Sequence, residues 1–216
     1  MFGLNDNFQL GLGNTQNRNI PTLNPYLKDI VQISCGNYHS LCLDNQGRVW
    51  SFGSNYHYQL GLQDIHVGSI PVLIHDLERI IQVSARHDHS LCLDNQGRVW
   101  SFGYGVSGGM MLQNSKTLSY QPLLIPELKN IVQVSADRHK SLCLDDRGKI
   151  WTIEEGKKDM DRLIRINQIT SYENDDGTDD RDYKNYDVKR VPYVKNVIQI
   201  DSGGEEYYIF IKDRNY

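Results

Sequence analysis

Fifteen consecutive residues, His39 to Gly53, reappear without change from His89 to Gly103. A third copy of the central eleven runs from Ser141 to Trp151, so Trp50, Trp100 and Trp151 stand 50 and 51 residues apart. A fourth, worn copy lies at Tyr208–Asn215, overlaid on Ser40–Gly47. Each copy is preceded by a matching aliphatic stretch: Ile30–Ser34, Ile80–Ser84, Ile131–Ser135 and Val197–Ser202. A unit this small cannot bury both of its faces alone, so neighbouring units must cover one another. The repeat therefore limits the chain to an array of stacked, similar modules.

Within a unit the residues read as antiparallel strands. Ile30–Ser34, Leu41–Asp44 and Val49–Phe52 are short, apolar and rich in strand formers. Between the last two lies Asp44-Asn45-Gln46-Gly47, where Asp opens a tight turn and Gly takes the left-handed conformation it needs. Composition agrees. Asn and Asp are frequent, while alanine occurs only at Ala85 and Ala136. The expected fold is all-β, an array of about four small, stacked antiparallel sheets. The repeat units are expected at about 1–53, 54–103, 104–153 and 191–216, with an insertion over 154–190.

The spaced pattern Gly36-x-x-His39-Ser40, Gly47-Arg48-Val49-Trp50-Ser51-Phe52-Gly53, then Asn55 and Gln59-Leu60-Gly61 closely resembles the regulator of chromosome condensation repeat. The resemblance implies a propeller, usually of seven blades with four strands each; about four such repeats would make propeller blades in either a closed small ring or an open arc. The match covers most of 1–151 and returns near 190. The sequence departs from the pattern in places. Arg86 stands where Gly36 does, and Gly109-Met110-Met111 replaces the Gln-Leu-Gly element. Lys140 aligns with His39 and His89; in the last unit Tyr207 takes the histidine position and Asp201 reads as inserted. The chain starts at the Ser51 equivalent and stops at the Arg48 equivalent, so its two ends complement one another in register.

Residues that could carry chemistry have simpler readings. His39 and His89 share one repeat position, so they sit on different blades, each expected to bond backbone groups of its own blade. Trp50, Trp100 and Trp151 are expected to pack against neighbouring units. Gly47, Gly97 and Gly148 mark hairpin turns, and Gly53 and Gly103 close the third strand. Gly103-x-Gly105-x-x-Gly108 and Gly105-x-Ser107-x-Gly109 fit a dinucleotide fingerprint and a nucleophile elbow by letter, but both motifs need a helix next. Three of the four cysteines recur within Leu-Cys-Leu, a packing position rather than a disulfide or ligand set. Buried thiols fit a reducing, intracellular compartment. No catalytic residue, metal or cofactor is expected.

Formal net charge is −4 and no apolar run reaches the roughly 20 residues that span a bilayer. Neither nucleic acid nor membrane is an expected partner. The expected function is a non-enzymatic protein-interaction scaffold, its variable segments Asn14–Asn24, His57–Ser69, Tyr104–Tyr120 and Glu154–Arg190 meeting a protein partner. The resemblance implies two alternatives: a guanine-nucleotide exchange regulator of a small GTPase, or a truncated, decayed copy without activity. An open arc would also allow a homodimer. Tyr172–Asp187 holds seven acidic residues against Arg181 and Lys184 and reads as a solvated insertion. Deleting it behind a short Gly-Ser linker is expected to leave the urea unfolding transition near wild type. Loss of cooperative unfolding would place the segment inside a blade.

Overall fold

Asp44 shows why each unit turns back on itself. Its Oδ1 accepts from the backbone N–H of Gln46 (2.9 Å) and of Arg48 (3.0 Å), and the Gly47 N–H returns to the Asp44 carbonyl at 3.1 Å. Gly47 sits at φ +77°, where a side chain would be strained. A Cβ there would also press within 3.0 Å of the Arg79 backbone in the following unit. Gly97 and Gly148 repeat the conformation at φ +74° and +70°. The turn therefore fixes both the hairpin and its approach to the next sheet.

The computed structural model describes residues 1–63, 68–104, 110–111, 118–119, 121–137, 140–155, 186–190, 197–203 and 206–211. Every regular element among them is a strand. The first blade is β1 (Ile30–Cys35), β2 (His39–Asp44), β3 (Val49–Gly53) and β4 (Gly68–Leu73), paired antiparallel in that order. The second is β5 (Ile80–Arg86), β6 (His89–Asp94) and β7 (Val99–Gly103), then β10 (Leu123–Leu124) on the outer side; β8 (Met110–Met111) and β9 (Leu118–Ser119) form a separate two-stranded sheet. The third is β11 (Ile131–Ser135), β12 (Lys140–Asp145), β13 (Ile150–Glu155) and β14 (Tyr186–Arg190). Then come β15 (Val197–Gly203) and β16 (Glu206–Ile211), a two-stranded sheet. At the other end Gly3 bridges Arg18, as Gly53 pairs with Gly68 in the first blade. The first strands β1, β5, β11 and β15 contact one another in succession.

Two readings change and one stands. Tyr186–Arg190 pairs with β13 as the outer strand of the third blade, so these residues belong to the framework and not to the insertion. A deletion of the acidic segment must stop at residue 185; the residues before that, from 156, lie outside those described. In the last unit Ile200 faces Ile209 as Val83 faces Cys92, which shifts the overlay by one residue. Asp201 then occupies the place of Ser34 and Ser84 instead of being inserted, and Glu206, not Tyr207, holds the histidine position. Finally, the strand Met110–Met111 stands where both glycine-rich motifs would need a helix; Gly105, Ser107, Gly108 and Gly109 lie outside the described residues.

The core is made between sheets. One cluster joins Leu41, Leu43 and Val49 of the first blade to Ile80, Val83, Ala85, Cys92 and Phe102 of the second, with Trp100 against it. The next repeats it one blade on, from Leu91, Leu93 and Val99 to Ile131, Val134, Ala136, Cys143 and Ile153, with Trp151 against it. Trp50 lies ahead of both clusters, so sequence equivalence does not give equal packing. Trp100→Ala is expected to cost about 3 kcal/mol, the lower end for a large aromatic because the ring is only half-buried. Trp50→Ala should cost less. Urea midpoints of the two variants check this order.

Candidate interaction surface

The recurring side chains are used to join blades. His39 is buried, and its Nε2 lies 2.9 Å from Ser90 Oγ on the second blade. Ser90 spends its hydroxyl proton on the Gln59 carbonyl (2.9 Å), so His39 Nε2–H is the donor. Burial, then the nearby His89, holds the His39 imidazole down to about 3, well below its ordinary value. His89 repeats the contact to Ser141 of the third blade at 3.1 Å. The bond expected within each histidine's own blade is instead made to its neighbour, because the strand β2 or β6 is buried between sheets. These residues are interblade pins.

The tryptophans serve the turns. Trp50 Nε1 donates to Asp44 Oδ2 at 3.1 Å, Trp100 to Asp94 at 3.2 Å and Trp151 to Asp145 at 3.1 Å. Arg48 and Arg98 add Nε contacts of 2.7 and 2.6 Å to the same carboxylates and cover the indole faces. Burial pushes the Asp44 and Asp94 carboxyls up, but these hydrogen bonds outweigh it and hold both below the usual carboxylate range. Gly53 and Gly103, at φ +107° and +101°, lie against the Tyr38 and Asp88 carbonyls where no Cβ fits. Cys42, Cys92 and Cys143 are buried free thiols, and burial raises Cys42 to about 12. None of these groups meets another in a catalytic constellation, and no cluster of three metal-ligating side chains occurs among the described residues.

A different row of residues faces outward. Each first strand slips register once against its partner: between Ile30 and Gln32, Ile80 and Gln82, Ile131 and Gln133, and Val197 and Gln199. The bulged residue is Val31, Ile81, Val132 or Ile198, exposed by 64%, 54%, 52% and 60%. A bulge re-aims one side chain out of the ladder. The first three of these aliphatics, with Gln32, Gln82 and Gln133, line an open groove of about 470 Å³ along the inner strands. Sequence reading passed over both positions. The signal was there: two adjacent aliphatics followed by Gln, four times, against the alternation expected of a half-buried strand.

The family model for the regulator of chromosome condensation (RCC1) repeat matches residues 1–43 and 46–93, and a second RCC1 model matches 30–59. Residues 1–93 thus match regulator of chromosome condensation repeats. An RCC1 repeat-containing protein of Schizosaccharomyces pombe is 43% identical over 49 residues, 23% of this chain and 14% of that protein. The structure of Prp20p from Saccharomyces cerevisiae superposes with a TM-score of 0.70 at 24% identity, over 98% of this chain and 50% of that one. Human WBSCR16 gives 0.61 at 20% identity, over 72% and 42%. These likenesses show the fold, a propeller that is here open or partial. The chain spans half or less of each of these relatives.

His39 makes the array acid-sensitive. The unfolded chain binds a proton at His39 below its ordinary value of 6.5, whereas the folded one resists until about 3. Stability carried by neutral His39 is full above pH 6.5 and is lost as pH falls through that window. His39→Gln should flatten the decline by roughly 1 kcal/mol per pH unit. Urea titrations of both proteins between pH 4 and 7 read the slope directly.

Proposed function

We propose that this chain is a non-enzymatic protein-interaction scaffold whose contact surface includes the inner-strand groove. One observation carries the reading: the same bulge in every unit places an aliphatic in solvent, where it contributes nothing to the interblade core. Four such side chains in series form an apolar row edged by glutamine, which suits a partner segment with aliphatic or aromatic side chains. The groove holds no acid–base pair or nucleophile. The formal net charge of −4 speaks against phosphate backbones as the partner.

A second reading is regulation of a small GTPase. It rests on the RCC1 repeats and on likeness to Prp20p, whose structure is described together with its binding to Gsp1p and histones. The two readings separate in one assay. Release of a fluorescent guanine nucleotide from a panel of small GTPases should not accelerate if the chain is a scaffold; acceleration would favour the exchange reading.

Substitution tests the surface itself. Ile81→Asp and Val132→Asp replace exposed side chains, so each should leave stability within about 0.5 kcal/mol of wild type. Val83→Asp buries an unpaired carboxyl between blades and should unfold the array. Once a protein partner is in hand, titration calorimetry should show its binding lost in the Ile81 and Val132 variants. Undiminished binding in both would remove the groove from the contact surface.

A further inference from the structure

Every blade junction uses the same contacts. Gln32 donates Nε2–H to the Val83 carbonyl (3.1 Å) and accepts the Val83 N–H on Oε1 (2.9 Å). Gln82 does the same to Val134 at 3.0 and 2.9 Å, and Gln133 to Ile200 at 2.7 and 3.0 Å. Beside them Ser34 Oγ accepts the Ala85 N–H, and Ser84 Oγ the Ala136 N–H, each at 2.9 Å. Each junction thus joins two unlike faces, one offering the glutamine and one receiving it.

At the two ends of the array, described residues that would meet a further blade are exposed. Ile33 is 52% exposed, whereas its equivalents Val83, Val134 and Ile200 are each 1% exposed. Cys35 is exposed where Ala85 and Ala136 are buried. Only the inner half of this face is bare. Its outer half is already covered: Gly11 lies against the Phe52 ring and Ser40 Oγ donates to the Gln9 carbonyl, as Ser90 does to Gln59. What would complete the cover is an inner two-stranded half-blade carrying a glutamine. β15–β16 is such a half-blade, and its Gln199 is exposed.

We propose that a second copy of this chain docks head to tail, the partner copy's β15–β16 sitting on the Ile33 face. Gln199 of one copy donates to the Ile33 carbonyl of the other and accepts its N–H. Asp201, in the place of Ser34 and Ser84, supplies an acceptor for the Cys35 N–H. The same contact made twice closes a two-fold ring of eight blade equivalents, within the range closed propellers adopt. The pairing also completes the inner-strand groove, which one copy leaves open. This inference goes beyond the scaffold reading and uses a different face from Ile81 and Val132.

Size-exclusion chromatography with light scattering on the 216-residue chain tests it. The expected mass is twice the chain's 24.9 kDa, falling twofold in Ile33→Glu. Because Ile33 is exposed within one copy, that variant should keep the wild-type circular dichroism and stay folded. Val31→Glu, two residues away and more exposed but facing the groove, should remain a dimer. Cys35 should resist alkylation in wild type and react in Ile33→Glu, the other three cysteines being buried in both. A wild-type monomer would overturn the proposal and leave the face to another segment or protein. So would a dimer that survives Ile33→Glu, or an open-ended ladder of larger species.

Discussion

The array depends on one side-chain amide. The first strand of each blade is an edge strand, so one row of its N–H and C=O groups has no ladder partner. Glutamine carries a donor and an acceptor at the spacing of a peptide unit. Gln32, Gln82 and Gln133 each satisfy both backbone groups of one residue in the next blade. The contact ties blade to blade where no strand pairing does, and it holds the aliphatic faces at packing distance. Serine and histidine then pin the same junction further out, with Ser34 on Ala85 and His39 on Ser90.

A junction built this way has a direction. The glutamine-bearing face and the aliphatic receiving face differ, so blades add in one sense and the array has two distinct ends. The hairpin geometry reinforces that sense, because the Gly47 and Gly97 carbonyls accept the N–H of Ile80 and Ile131 in the following blade. The buried carboxylate of Asp44 or Asp94 holds each hairpin rigid enough to present that carbonyl. Turn chemistry and blade stacking are therefore one device.

Much of this was legible in the residues. The exact repetition of His39–Gly53 fixes the unit, Asp and Gly fix the hairpin, and the recurring Leu-Cys-Leu marks strands buried on both faces; Cys42, Cys92 and Cys143 are indeed inaccessible. What the residues hid were relations between units. A repeat alignment sets His39 beside His89 but cannot say that each reaches forward to Ser90 and Ser141. It likewise treats Trp50 and Trp100 as equals, although only the second has a whole blade in front of it. The outer strand Tyr186–Arg190 escaped because it carries none of the motif; pairing with β13 through backbone groups recruits it without any sequence signature. The one-residue slip at Asp201 escaped for a related reason. Register is set by the turn, and Gly203 pairs with Glu206 at the same sequence spacing as Arg86 with His89, so Asp201 needs no insertion.

The bulge separates the side chains that pack between blades from those that face solvent. With strict alternation every aliphatic of the first strand would point into a junction, and the inner edge would present only backbone. One extra residue per strand changes that. It returns Ile80, Val83 and Ala85 to the buried face while turning Ile81 outward. The cost is one unpaired ladder position, tolerable at an edge that has no further strand to pair with. Because the extra residue touches neither junction, its identity is free of the packing constraint that holds Val83 and Val134. Its being aliphatic in all four units is thus not required by the fold. The apolar inner row is the part of this array whose chemistry interblade packing does not explain.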